Sequence, residues 1–241
     1  MKIGLIADIH GNLFALDAVL ADLAADGVDR LVCLGDIALL GPRPSEVIAR
    51  LRSLGCPSVL GNVDAWVLDA TLVEQSNSAL SAWNVAQLSD ADRAYLGACP
   101  MTLEIPLAAG TTLLACHGSP RSYYEVIAAG TPPADLLAMI ADPRPAFVAG
   151  GHTHRQLLRR DGETMFVNPG SVGLPGVGPD HPLLERNRQI SWAEYAVIDA
   201  HNDRFSVDLR RIPLDLDRMF ADARASGMPD LDWWLGLWKA P

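Results

Sequence analysis

The chain has 241 residues, of which 49% are hydrophobic and 20% are charged, and its formal net charge is −10. This hydrophobic content supplies a core for one large domain without help from a disulfide or a structural metal. The acidic balance excludes duplex nucleic acid as a partner, but small phosphate substrates remain possible where bound cations reverse the local field.

The first half of the chain alternates short apolar runs with amphipathic stretches, an order typical of parallel strands covered by helices. We predict strands at residues 2–7, 30–34 and 57–60, and helices at residues 13–25 and 44–54. These elements predict a mixed α/β (α+β) protein.

The stretch 65–98 is helix-prone, and we predict that it forms a small helical insert beside a site. Further strands are predicted at residues 102–105, 112–116, 146–149, 164–167, 194–199 and 204–212, with a helix at 133–141. Two C-terminal helices are predicted within 215–238. Since no repeat or long linker interrupts the chain, residues 1–241 are predicted to form a single domain.

Nothing in the sequence indicates export or insertion into a membrane. The four cysteines show no paired spacing, which is typical of free thiols in a reducing compartment. The apolar N-terminal run is interrupted by Asp8 and His10, so it is too short for a signal peptide. We therefore predict a cytoplasmic protein that does not contact membranes.

Residues with metal-ligating side chains follow five of the predicted strands, at the point where each strand ends. The carboxyl ends of parallel strands share one edge of an α/β sheet, so these side chains are expected to converge there. The five groups are Asp8-Ile9-His10-Gly11-Asn12, Gly35-Asp36, Gly61-Asn62-Val63-Asp64, His117-Gly118-Ser119 and Gly150-Gly151-His152-Thr153-His154.

The residue types in these groups suit a pair of divalent cations. One carboxylate can bridge two cations, while imidazole and amide ligands complete each coordination shell without excess negative charge. Two such cations share a hydroxide and neutralise a phosphate under in-line attack. Each group alone is more often a turn or a helix cap, but the five together predict a phosphohydrolase with a dinuclear site.

The motif set also resembles the signature of calcineurin-like metallophosphoesterases, over residues 2–173. The segment Asn168-Pro169-Gly170-Ser171 resembles a signature of the small bacterial phosphodiesterase branch, and the order of segments resembles diadenosine tetraphosphatase-like proteins. The resemblance implies a four-layer αββα sandwich, in which helices flank two facing mixed β-sheets.

The resemblance further implies which residues hold two divalent metal ions. One ion would be held by Asp8, His10, Asp36 and His154, and the second by Asp36, Asn62, His117 and His152. Manganese is expected first, with iron, zinc, cobalt or nickel as alternatives. Asp36, Asn62 and His154 are expected to act in catalysis, with Asp36 as the bridging ligand.

One position departs from the family pattern. Many members carry His directly after the Gly-Asn pair, where it helps to protonate the leaving group, but here the residue is Val63. General acid catalysis is worth roughly 10²–10⁴ in rate. Efficient hydrolysis of alkyl phosphate monoesters is therefore not expected, whereas phosphoanhydrides, whose leaving groups depart readily as anions, should suffer least.

Several other residues have two explanations each. Asn12, like Asn62, could bind substrate, but it could equally cap the helix that follows. Arg121 could bind a phosphate oxygen or be an ordinary surface arginine. Asp64 is expected to support its loop or a ligand histidine, and Tyr123 and Tyr124 either stack on a base or pack against the insert.

The C-terminal tryptophans Trp233, Trp234 and Trp238 are expected to pack on the core, with a subunit interface as the alternative. A homo-oligomer therefore stays possible.

The leading hypothesis is a dinuclear phosphohydrolase that acts on a phosphodiester or phosphoanhydride of a small, nucleotide-like substrate. A metal-bridging hydroxide would attack phosphorus. A phosphomonoesterase that uses water as its acid is one alternative. A binding scaffold without turnover is another, but scaffolds of this fold commonly lose ligands, and here every ligand position is filled.

Overall fold

Two mixed β-sheets face each other in the computed structural model, which describes residues 1–69, 71–73, 78–107, 110–141, 143–176, 190–201 and 204–238. The first sheet has the strand order β2-β1-β8-β9, and the second has the order β3-β4-β5-β7-β6. The strands are β1 (Lys2–Ile6), β2 (Arg30–Cys33), β3 (Leu103–Pro106), β4 (Thr112–Ala115), β5 (Phe147–Ala149), β6 (Gln156–Asp161), β7 (Thr164–Pro169), β8 (Trp192–His201) and β9 (Arg204–Pro213).

Helices cover the outer faces of both sheets. They are α1 (Leu13–Ala25), α2 (Pro44–Ser53), α3 (Asn62–Leu68), α4 (Ala79–Gln87), α5 (Asp90–Gly97), α6 (Pro133–Ala138), α7 (Leu216–Ser226) and α8 (Leu231–Leu235). Their ends follow local sequence rules: Ser89 and Asp92 form a capping box at the start of α5, and Pro44 occupies the first turn of α2.

The core forms three layers because side chains alternate across each strand. On β1, Ile3 and Leu5 belong to the cluster between the two sheets, whereas Ile6 belongs to the cluster under the helices of the first sheet. A third, smaller cluster packs Leu136 of α6 on the outer face of the second sheet. The predicted four-layer sandwich of two mixed sheets is confirmed.

Because the strands belong to two sheets, the five polar groups converge differently from the prediction. β1 and β2 pair in parallel within the first sheet, whereas β4 and β5 pair in parallel within the second. The expectation of one shared sheet edge was therefore wrong, since the five groups converge from two facing sheets. Residues 57–60 contribute a single bridge from Ser58 to Cys33 rather than a strand.

The predicted insert is helical, and it begins within the site. Its first helix, α3, begins at Asn62, which is one of the predicted ligands. β6 was not predicted from the sequence at all. Among the described residues, no helix is long and apolar enough to cross a bilayer.

Candidate metal centre

Six buried side chains bring their ligating atoms together where β1, β2, β4 and β5 end. One group contains Asp8, His10, Asp36 and His154, and the other contains Asp36, His117 and His152. Within each group the ligating atoms lie within 4.8 Å of one another. Asp36 belongs to both groups, and this is the position that a bridging carboxylate requires.

The distances between these atoms show how close the two groups are. The Asp36 Oδ2 atom lies 3.4 Å from His117 Nε2 and 3.7 Å from His10 Nε2. The Asp8 Oδ1 atom lies 3.3 Å from His154 Nε2. Asn62 joins the second group, because its Oδ1 atom lies 3.0 Å from His117 Nε2.

Backbone carbonyls fix the orientation of three of the imidazoles. The Nδ1 atoms of His10, His117 and His154 lie 2.9, 2.7 and 2.7 Å from the carbonyl oxygens of Leu39, Leu34 and Leu174. A carbonyl oxygen only accepts, so each Nδ1 carries the hydrogen and donates it. In a neutral imidazole this leaves the Nε2 lone pair pointing into the cluster, as in metal-binding histidines.

These lone pairs converge on one another in a way that fits a cation. His10 Nε2 and His154 Nε2 are 3.1 Å apart, and His117 Nε2 faces the Asn62 Oδ1 acceptor. Two acceptors at this distance repel each other unless a proton or a metal ion lies between them. The donor set of imidazole, carboxylate and amide atoms therefore suits divalent transition metals.

The charges of the cluster are also compatible with a bound cation. Burial, together with the neighbouring His154, lowers the pKa of His10 to about 4, so this imidazole is neutral. Burial also lowers the pKa of His117, but Asp36 outweighs burial and raises it to about 9. Burial raises the pKa of Asp36, yet His117 and His10 hold that pKa well below its usual range. Metal binding would therefore displace a proton from His117.

The backbone is strained at the ligand positions. The residues with left-handed backbone are Asp8 (φ 53°), His10 (φ 49°), Asp36 (φ 54°), His152 (φ 67°) and His154 (φ 55°). Such a conformation costs of order 1–3 kcal/mol at a non-glycine residue, and it persists where function requires it. Among the described residues, only Leu40 and Asp230 also have positive φ without being glycine, and both line the cavity beside the ligands.

Comparison with known proteins agrees with this geometry. Residues 1–201 match the model of the calcineurin-like phosphoesterase superfamily domain. The chain belongs to this superfamily. It is therefore a metal-dependent hydrolase that acts on phosphoric esters, and the resemblance predicted from its sequence is confirmed.

Individual known proteins resemble the chain over much of its length. A metallophosphoesterase from Sphaerobacter thermophilus is 28% identical, superimposes with a TM-score of 0.76, and covers 98% of both chains. The hypothetical protein PH1004 from Pyrococcus horikoshii shares the fold, with 20% identity, a TM-score of 0.80 and 99% of both chains covered. The phosphodiesterase YfcE from Escherichia coli is 29% identical over 74% of this chain and 83% of its own.

In this phosphoesterase, Asp64 holds two ligand loops together. Its Oδ2 atom accepts from the Gly61 amide at 3.1 Å, and its Oδ1 atom accepts from the Ile37 amide at 2.9 Å. Burial, together with the charge on Asp36, raises the pKa of Asp64 to about 7. Of the two roles predicted for Asp64, the described contacts match loop support.

Close backbone approach explains the glycine before Asn62. A Cβ atom at Gly61 would overlap the Oδ1 atom and the backbone nitrogen of Asp36. Any larger residue would therefore push the Asp36 carboxylate out of the position that it shares between the two groups.

The Asn-Pro-Gly-Ser segment forms hydrogen bonds to the loop that contains Asp8 and to the loop that contains Gly151. The Asn168 amide donates to the Gly151 carbonyl at 2.6 Å, and the Ser171 hydroxyl donates to the Asp8 carbonyl at 2.7 Å. The segment therefore positions ligands without itself belonging to the cluster.

Two predicted substrate-binding residues lie outside the cavity. Asn12 is fully buried, where its Oδ1 atom caps α1 by accepting from the Ala15 amide at 3.1 Å and its Nδ2 atom donates to Gly173. The Arg121 guanidinium forms an ion pair with Glu125 and donates to the Ala138 carbonyl. Neither is among the described residues that line the cavity, so helix capping and a surface ion pair account for them.

A cavity of about 620 Å³ opens directly over the candidate ligands His10, Asp36, Asn62, His152 and His154. Its remaining wall is mostly apolar, and only Val63 and the position of the insert were predicted from the sequence. This wall consists of Leu40, Val63, Trp66, Ser78, Leu80, Leu174, Asp230 and Trp233. The sequence signal that could have found it is the set of tryptophans in the insert and the C-terminal segment.

Proposed function

We propose that this phosphoesterase hydrolyses a phosphodiester or a phosphoanhydride in a small, nucleotide-like substrate, at a site that holds two divalent cations. The observation that carries the proposal is the position of Asp36, whose carboxylate takes part in two adjacent groups of ligating atoms.

Each cation would have its own set of ligands. Asp8, His10, Asp36 and His154 would hold one, and Asp36, Asn62, His117 and His152 the other. Manganese is our first candidate, with iron, zinc, cobalt or nickel as alternatives. When bound, such a pair supplies a nucleophile from water at neutral pH and neutralises charge on the phosphate.

The protein's own side chains would position the phosphate. Asn62 lines the cavity with its Oδ1 atom toward His117, so its Nδ2 atom is available to donate to a phosphoryl oxygen. The Nδ1 bonds of His10, His117 and His154 to carbonyls hold their rings in place, so little reorganisation is needed when charge develops.

Val63 supports a diester or anhydride substrate over an alkyl monoester. It lines the cavity beside Asn62 and has no proton to give to a leaving group. Substrates whose leaving groups depart as anions need no such proton. The E. coli relative is described as a phosphodiesterase, which agrees with this preference.

The decisive experiment compares substrates under one metal loading. Chelator-stripped protein, reloaded with manganese, would be assayed on bis-p-nitrophenyl phosphate, p-nitrophenyl phosphate and diadenosine tetraphosphate. We expect metal-dependent turnover that is fastest on the diester or the anhydride. Fastest turnover on p-nitrophenyl phosphate would favour the phosphomonoesterase alternative.

The matched variants are Asp36→Asn at the bridge and Asp90→Asn at an exposed position of α5. Loss of a metal-positioning group costs 10–100-fold in affinity or activity even outside the ligand set, so Asp36→Asn should cost more than about 100-fold. Asp90→Asn should behave as wild type. Wild-type activity and metal content in Asp36→Asn would falsify the dinuclear assignment, and no turnover with any of the five metals would favour the scaffold.

A further inference from the structure

The cavity has an aromatic end that the metal ligands do not explain. Trp66 of α3 and Trp233 of α8 both line it, and Leu80 of α4 adds an aliphatic surface. These residues share one continuous cavity with His10, Asp36 and Asn62, so a single small molecule can contact both ends.

A hydrogen bond orients the Trp66 side chain. Its Nε1 atom donates to the Tyr124 hydroxyl at 3.2 Å, and Tyr124 packs edge-on against Tyr123 with ring centroids 4.9 Å apart. The indole N–H of Trp66 therefore has a hydrogen-bond partner that does not line the cavity. A preset aromatic surface loses little entropy when a ligand packs on it.

Trp233 is exposed although its neighbour is buried. Trp234 is fully buried, with its ring centroid 5.6 Å from that of Trp238, and the pair anchors α8 in the core. Trp233 keeps 37% of its surface exposed while it lines the cavity. A large exposed indole at the mouth of a cavity is the kind of group that marks a binding surface.

Asp230 adds a polar group to the same end of the cavity. It lies three positions before Trp233, is exposed, and has a left-handed φ of 56°. An ionised carboxylate only accepts hydrogen bonds, so its partner on a ligand must be an N–H or O–H group. An aromatic surface beside an acceptor suits a planar ring that carries such donors.

We propose that Trp66 and Trp233 bind the base of a nucleoside phosphate ester, with Asp230 accepting a hydrogen bond from its amino or hydroxyl groups. These three residues then determine which esters enter, while the metal ligands act on the phosphate. The inference rests on the proposed function for the position of the phosphate, but it assigns recognition to residues outside the ligand set. Asp230 and Trp233 also lie beyond residue 201, where the match to the superfamily model ends.

The test measures binding to the manganese-loaded full chain by titration calorimetry, with adenosine 5′-monophosphate and ribose 5-phosphate as probes. Adenosine 5′-monophosphate carries adenine where ribose 5-phosphate carries its anomeric hydroxyl. Because a base that stacks on an aromatic side chain strengthens binding, we expect the nucleotide to bind about tenfold more tightly. Trp233→Leu and Trp66→Leu should each remove most of this difference without weakening ribose 5-phosphate.

Further variants separate recognition from folding. Trp192→Leu makes the same change on β8, outside the cavity, and should leave the preference intact. Trp233→Phe keeps a ring at the exposed position and should retain part of the preference. Asp230→Ala should weaken the nucleotide several-fold. A preference that survives both Trp66→Leu and Trp233→Leu in folded protein overturns the inference.

The outcome is independent of catalysis. A base-dependent affinity without turnover would support this inference and count against the proposed function. Metal-dependent turnover together with equal affinity for the two probes would overturn the inference and leave the proposed function standing. Binding of neither probe at millimolar concentration would also overturn it.

Discussion

At Asp36, the backbone conformation and the contacts of the carboxylate both place its oxygens in the cluster. Its left-handed φ of 54° turns the carboxylate back toward the cluster, where the Val63 amide donates to Oδ1 at 3.0 Å and Oδ2 faces the imidazoles. The strain is tolerated because Gly61 leaves room for the carboxylate.

Single residues also show what a sequence reveals about such a site and what it conceals. The residues of the cluster were predictable because Asp, His and Asn interrupt apolar runs at the ends of five predicted strands, although one of these forms only a bridge. The role of Asn12 was not, since an amide that caps a helix looks the same in sequence as one that binds phosphate. Trp233 and Trp234 are adjacent and identical, and only the docking of α8 decides which one is buried.

Val63→His tests the missing general acid. Val63 lines the cavity, so an imidazole there can reach a leaving group. We expect a rate gain of up to about 100-fold for methyl phenyl phosphate, whose leaving group is poor, and little gain for methyl p-nitrophenyl phosphate. Steady-state kinetics with both diesters measure this, with Val63→Leu as the control for side-chain size. Equal gains on both substrates would contradict the role assigned to Val63.

At the scale of elements, the insert is fastened to the metal centre. Asn84 of α4 is fully buried, and its Oδ1 atom accepts from the Leu40 amide at 2.9 Å while its Nδ2 atom donates to the Gly41 carbonyl at 2.7 Å. The carbonyl oxygen of Leu39, the residue before Leu40, accepts a hydrogen bond from the His10 ring. Asn84 therefore joins the insert to the loop that orients His10.

Asn84→Ala should loosen this connection. The change leaves the Leu40 amide and the Gly41 carbonyl without their buried partner, which costs about 1–3 kcal/mol. Urea titration should show this loss in the free energy of unfolding, and metal titration should show weaker binding because the His10 loop relaxes. Gln87→Ala, at an exposed position on the same helix, is the control. Wild-type stability and metal affinity in Asn84→Ala would mean that the insert is not coupled to the site.

Elements were predictable where burial is periodic. Helix α1 has the predicted bounds because its apolar residues recur at helical spacing and Asn12 caps it. The β6 strand was missed because it is an edge strand with Arg159 and Arg160 and little buried surface. Residues 57–60 form a single bridge because the chain turns at Gly61 into α3.

At the scale of the molecule, the cluster gathers two carboxylates and four imidazoles from two sheets into one buried region. Without cations, its lone pairs and charges are compensated only in part. Metal binding should therefore stabilise the whole fold, since the ligands are assembled only in the native state.

Manganese should accordingly raise the melting temperature of chelator-stripped protein. Binding contributes about 4 kcal/mol at a metal concentration a thousandfold above Kd. Each kcal/mol corresponds to about 2–4 °C for a chain of this size. Calorimetry should show the shift in wild type and Asp90→Asn, and most of it should disappear in Asp36→Asn. An equal shift in Asp36→Asn would indicate metal binding elsewhere.

The pairing of β1 with β8, which aligns Lys2 with Asp199, also sets the order in which the molecule can assemble on the ribosome. At 5–20 residues per second, the first strand waits roughly 10–40 s for its partner. During that interval Asp8, His10 and Asp36 have been synthesised, but His152 and His154 arrive late. The nascent chain therefore passes through a stage in which an apolar strand edge and half of the clustered side chains are exposed together, a combination that favours aggregation.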